Sequence, residues 1–147
     1  MDVGWKRDAS SPSIETRLGT DMTNYFAGIA VGVIILQTMI FAPTIFKTLE
    51  MEHAGKLLRA LFPKFFRLLA VLGVVTLVSL ALSEDTCWLG YLLGSLTVAC
   101  PIICALLVPA TNRATDSGEK GRFKFLHTVS VVLTVIVLLS DIALPFV

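Results

Sequence analysis

Few side chains in this sequence could do chemistry, and most of those are set in apolar surroundings. Cys100 and Cys104, in Cys100-Pro-Ile-Ile-Cys104, fall one helical turn apart on one face. Paired thiols are soft ligands that suit Cu(I) or a platinum-group ion. Cysteine is equally a small apolar residue that packs well in lipid, and no nearby His or Met completes a site. Two histidines in a helical bundle could hold a b-type haem, which makes His127 the candidate cofactor ligand. The plainer reading is that His127 hydrogen-bonds the adjacent loop, and that His53, flanked by charge, stays wet. Gln37, Cys100 and Thr134 each fall about eight to ten residues, roughly 12–15 Å, from the same end of their helices. Facing inward, they would form a polar mid-membrane layer, with Gln37 and Thr134 as its core. Such a layer is either a binding or permeation point or plain interhelical hydrogen bonding, worth only about 0.6 kcal/mol per pair. Glu50, Glu52, Glu84, Asp85 and Asp141 are placed near interfaces, with Asp141 marking a helix exit. An uncharged bilayer centre argues against an ion-coupled pump. No nucleophile has a base at a useful spacing, so no catalytic residue is assigned, no enzyme activity is expected, and no resident cofactor is called for.

The elements that must hold these residues are read from composition and blocks. Hydrophobic residues make up 55% of the chain, mean hydropathy is +0.81, and charged residues are 16%. A soluble domain would carry roughly a quarter charged residues. The apolar residues collect in four blocks of about 20, long enough to cross a bilayer. The expected fold is all-α: an integral membrane four-helix bundle with helices at about 24–46, 64–83, 87–108 and 123–144. The last block is rich in Val and Ile, but a lone segment in lipid must satisfy its own backbone, so helix wins. Residues 1–23 read as a flexible polar tail that lacks the apolar run of a signal peptide. Three cysteines make no disulfide framework. No basic patch with interleaved aromatics is present, so nucleic acid is not an expected partner. The expected partners are the bilayer and, within it, other membrane subunits or a second copy.

Thr44 to Phe66 mixes charge and apolar residues with a helical period. It reads as an amphipathic cytoplasmic hinge helix between helices 1 and 2, with Ala54, Leu57, Leu58, Leu61 and Phe62 on its apolar face. Pro63 is expected to start the next element, where a missing N–H is tolerated. Pro109 is expected to end helix 3, leaving 110–122 as a polar loop. Gly28 and Gly32, and Gly90 and Gly94, match the small-xxx-small spacing that lets helices approach closely, and a helix 1–helix 3 contact through them is expected. Lys6, Arg7 and Arg17 fall at one end of the bundle, and the other nine basic residues at the opposite end. The positive-inside rule then puts the two longer loops in the cytoplasm, or its organellar equivalent, and both termini outside.

Two ordered stretches also resemble the transmembrane-protein-205-like family, small four-helix membrane proteins built on a domain of unknown function. The first is Phe41-Ala-Pro43-Thr-Ile-Phe46 followed by Ala54-Gly55 and Phe62-Pro63. The second is Pro109-Ala-Thr-Asn112-Arg113 followed by Phe125-Leu-His127-Thr-Val-Ser130. Phe65 stands where the family usually carries Tyr, and the resemblance covers about residues 25–140. It implies an integral membrane protein without established catalysis, loosely linked to membrane traffic and resistance to metal-based toxins. Pro43, Phe46, Gly55, Phe62 and Pro63 read as residues of geometry. His127 and Ser130 are the motif positions with chemistry.

Overall fold

The computed structural model describes residues 14–83 and 86–147. Four long helices make up nearly all of it: α1 (Ile14–Thr48), α2 (Met51–Ala81), α3 (Trp88–Asp116) and α4 (Lys120–Ala143). No strand occurs among the described residues. Each helix is long and apolar enough to cross a membrane. They are arranged up-down-up-down, with α1 against α2 and α4, and α3 against α2 and α4. The diagonal pairs, α1 with α3 and α2 with α4, do not pack directly. The outer surface is a jacket of exposed apolar side chains such as Met39, Val71, Val78, Leu106, Val132 and Leu139. In water such a surface would collapse onto itself, whereas in lipid it is the solvated face.

Helix α1 starts well before the expected Asn24, since residues 14–23 are already helical. The part of the expected tail before Ile14 lies outside the described residues, as does the expected turn at Glu84-Asp85. Along α1 the buried positions run Thr16, Gly19, Thr23, Ala27, Ala30, Ile34 and Gln37, in steps of three or four, and then jump eight residues to Ile45. The jump is absorbed by a π-helical stretch, Leu36–Phe41, in which the Ala42 N–H donates to the Gln37 carbonyl. This wider turn lies just before Pro43, whose ring would otherwise press on the carbonyl one turn back.

The expected hinge helix is not a separate element. Two extended residues, Leu49 and Glu50, make the whole α1–α2 corner. From Met51 the helix runs unbroken through Pro63 to Ala81. Of the expected apolar face, Ala54 and Leu58 are buried against Ile45 with Leu61 and Phe62 packed beside them, whereas Leu57 is exposed. That packing holds the amphipathic turns in line with the apolar ones and overrides the local break signal of Pro63. At 31 residues α2 is about 46 Å long, against a hydrocarbon core of about 30 Å, so the charged turns overhang the membrane.

Helix α3 likewise runs through Pro109 and ends at Asp116, which replaces most of the expected 110–122 loop by helix. The true turn is short and closed by a Schellman cap. Gly118, at φ +69°, takes the left-handed conformation that a side chain would oppose. Its N–H donates to Thr115 O at 3.1 Å and the Glu119 N–H to Ala114 O at 2.9 Å. A salt bridge of 2.6 Å between Arg59 and Asp116 ties α2 to this end of α3. At the opposite end Thr86 Oγ1 donates to Leu80 O and Ser83 O, covering the last carbonyls of α2.

Candidate functional site

Glycines bring α2 and α3 together, though not in the way their spacing led one to expect. A Cβ on Gly94 would meet Leu77 and Leu80, and one on Gly90 would meet Thr86 and Leu80. The neighbour is therefore α2, and the expected helix 1–helix 3 contact is absent because those two helices sit on a diagonal. Gly28 and Gly32 face outward on α1 with open space where a Cβ would be. The closest approach is elsewhere, where the backbone of α2 at Gly73 lies against the Thr97 carbonyl of α3. Only a residue without a side chain fits there.

Two apolar clusters fill the bundle. The larger one joins Ile34, Phe65, Phe66, Leu69, Leu72, Cys100, Cys104 and Val137. The smaller one joins Ala27, Leu80 and Leu144, with Leu77 and Leu93 packed on it. Between them, each of three helices contributes buried polar residues. Thr76 lies between Leu72 and Leu80, Thr97 between Leu93 and Cys100, and Ser140 and Asp141 between Val137 and Leu144. On α1 the same interval is spanned by Ala27 and Ala30. Thr97 Oγ1 donates to Gly94 O at 2.8 Å. Thr76 Oγ1 and both carboxylate oxygens of Asp141 have no hydrogen-bond partner. Asp141 is only 2% exposed. The 3₁₀ turn Leu144–Phe146 sets Leu144 against Ala27 and Leu80, so that the chain is still packed on the bundle beyond Asp141, and a residue expected at the helix exit is enclosed instead. Further hydroxyls lie level with the small cluster or beyond it: Thr16 and Thr23 on α1, Ser79 on α2 and Ser83 just after its end, all buried. Thr23 and Ser79 each donate to a carbonyl of their own helix, and Ser83 donates to Ser79 O in the last turn of α2.

This hydroxyl-rich half of the core carries a signal that could have been read. In lipid the apolar residues face outward, so the inward stripe is the one where Gly, Ala, Ser and Thr recur every three or four residues. Gly73, Thr76 and Ser79, and Gly90, Gly94 and Thr97, form such stripes.

The expected site residues are placed as follows. Gln37 is buried and its Nε2 lacks a partner, so it joins no hydrogen-bonded layer with Thr134. Thr134 Oγ1 instead donates to Ser130 O at 2.8 Å. The Cys104 thiol donates to the same carbonyl at 3.7 Å, which links α3 to α4. Cys100 and Cys104 are both buried and unbridged. No third His, Cys, Asp or Glu joins them among the described residues. His127 is exposed and stacks on Phe123, ring centroids 5.7 Å apart, outside the bundle core. His53 is exposed too, 3.9 Å from Glu50. The two histidines therefore line no common pocket in the core. Among the motif positions, Ala54 is fully buried, Pro43, Phe46 and Arg113 are exposed, and Gly55, Phe62, Pro63 and Asn112 are half-buried.

No curated protein and no solved structure matches the chain significantly. A family model does, over residues 25–120, and it is described as a domain of unknown function, DUF4149. The match takes in α1 from Tyr25, the Leu49–Glu50 corner, α2, α3 and the Gly118 cap. With well over half of its length inside that model, this four-helix chain belongs to the DUF4149 family.

Proposed function

We propose that this chain moves or senses a polar solute within the membrane, without catalysis of its own, and that it stands among the transmembrane-protein-205-like proteins. One observation carries the reading: part of the core is polar and partnerless, inside a surface that is apolar. A helix bundle that served only as a scaffold in lipid has no use for partnerless oxygen and nitrogen atoms in its interior, at Thr76, Asp141 and Gln37. The proposed orientation puts the basic ends, including the Leu49–Glu50 corner and the Gly118 turn, in the cytoplasm or its equivalent.

A thermal-shift screen of the purified protein tests the reading, using amino acids, sugars, organic cations and metal salts as probes. A ligand that binds only the folded state at 100 times its Kd adds about 2.7 kcal/mol of stability. One solute class is expected to raise the melting temperature of the wild type. Gln37→Leu removes a buried amide whose Nε2 has no partner, so it is expected to raise the empty protein's melting temperature and to lose that shift. A shift retained in Gln37→Leu, or absent for every class, counts against solute handling.

A second reading has its own observation. Gly28 and Gly32 lie exposed on the outer face of α1, with nothing against them. That is the surface expected of an accessory subunit docking on another membrane helix, or of a homo-oligomer. Native mass spectrometry of gently extracted protein separates the cases. Larger subunits that co-purify, and are lost in a Gly28→Leu/Gly32→Leu double variant, support the accessory role. A partner-free monomer removes it.

A further inference from the structure

We propose that Asp141 is a proton-binding site that exchanges with the compartment at the end of the bundle where α1 begins. The inference rests on reading the hydroxyl-rich half of the core as the working part of the molecule. A carboxylate withdrawn from water must be neutralised, paired or hydrogen-bonded. Both Asp141 oxygens lack a partner, and so does Thr76 Oγ1 in the same interval between the two apolar clusters. Among the described residues, the charged and titratable groups on the neighbouring helices do not supply one. Helix α1 carries Glu15, Arg17, Asp21 and Tyr25 towards this end, all exposed. Helix α3 carries exposed Tyr91 and the buried thiol of Cys100. Helix α2, across the diagonal, has Arg67 as its nearest charge, exposed and beyond Leu69 and Leu72 towards the opposite end. The donor set left at the site is oxygen alone, which selects a hard cation. Fully enclosed oxygens leave no room for the six or so ligands of a metal ion, whereas a proton needs one oxygen and no space.

The route is set by the thickness of the two clusters. Towards the basic end, Asp141 is closed off by the large cluster with Phe65, Phe66, Leu69 and Ile34. Towards the other end, among the described residues, the thinner layer of Ala27, Leu80 and Leu144, with Leu77 and Leu93 beside it, intervenes; the hydroxyl of Ser79 is level with it, and those of Thr23 and Ser83 lie beyond. A small displacement of Leu144, carried on a single 3₁₀ turn, opens the carboxyl to that side. The step is an acid–base exchange: an O–H bond forms at one carboxyl oxygen with a proton from water and breaks when the proton returns.

The test is infrared difference spectroscopy of the full chain in lipid nanodiscs, titrated with pH. The wild type is expected to show the carbonyl stretch of one protonated, buried carboxyl, which is lost as pH rises. Asp141→Asn lacks that band, and Asp141→Glu shows it displaced. Leu144→Ala speeds the shift of the band on transfer to heavy water. Circular dichroism checks that each variant keeps its helices. If the wild type lacks the band at every pH, in sodium chloride and in choline chloride alike, the site holds no proton. If sodium alone abolishes it, sodium is the ligand and the proposal of a proton site falls. A band unchanged across the whole titration marks a fixed neutral acid and overturns the exchange. Solute-induced thermal shifts are read separately. A titrating Asp141 in a protein that binds no solute leaves the proton site standing and removes solute handling.

Discussion

Asp141 shows how position along a chain misleads about position in a fold. Only six residues follow it, so it reads as the polar residue that meets water at the end of the last span. The 3₁₀ turn reverses that expectation by packing Leu144 on Ala27 and Leu80. An enclosed carboxyl without a donor lowers stability, and natural proteins keep such groups chiefly where function uses them. At a pH high enough to ionise the carboxyl, Asp141→Asn, which carries no charge, is therefore expected to stabilise the protein by about 1 kcal/mol, a gain of roughly 2–4 °C in melting temperature for a chain of this size; at low pH, where both side chains are neutral, the gain disappears. A lower melting temperature would mean that the carboxyl has a stabilising partner. The cysteine pair was legible because identical residues one turn apart must share a face, and Cys100 and Cys104 are both buried. The interval of Thr76, Thr97 and Asp141 was not legible, because it is assembled from three helices and no local spacing connects them.

Helices were legible as elements, and so were their ends near Ala81, Trp88 and Ala143, but not those expected at Pro63 and Pro109. Apolar blocks fix where a chain crosses lipid, but Pro63 and Pro109 are local break signals that the tertiary structure overrules. At Pro63 the ring removes one backbone donor and leaves the Arg59 carbonyl without its usual partner one turn back. If the helix is continuous there, Pro63→Ala restores that bond and raises the melting temperature, by up to the roughly 3 kcal/mol that proline costs inside a helix. If Pro63 opened a new helix, the same change would have no effect or would lower stability, since proline suits a first turn. Chemical denaturation of the two proteins in the same detergent decides between these outcomes. The small-xxx-small glycines make a related point. Spacing shows that Gly90 and Gly94 accept a close neighbour, but not which one, and up-down-up-down packing made it α2.

At the scale of the whole molecule, all nine basic residues from Lys47 onward fall at or towards the end that holds the Leu49–Glu50 corner and the Gly118 turn. The natural cysteines report which way that end faces. Cys87 is exposed at the opposite end, while Cys100 and Cys104 are buried. A membrane-impermeant maleimide applied to the outside of intact cells, or to the lumenal side of sealed vesicles, is expected to label Cys87 and neither of the others. Labelling of Cys87 from the cytoplasmic side alone would reverse the orientation. The α1 span has to satisfy both halves of the molecule, lining the hydroxyl-rich half and then the large cluster at Ile34, and beyond Gln37 turning Ile45 towards Ala54 and Leu58. Its one π-helical stretch adjusts the phase between those two duties by holding a surplus residue. Loss of one residue within Leu36–Phe41 would tighten that stretch to an ordinary α-helix and still leave Gln37 and Ile45, now seven positions apart, on a common face. The same loss at Ala27 would swing every later side chain by about 100° around the axis. Single-codon deletions scanned along α1 and scored by folded yield are thus expected to be best tolerated in this window, the place where the length of the chain is free to vary.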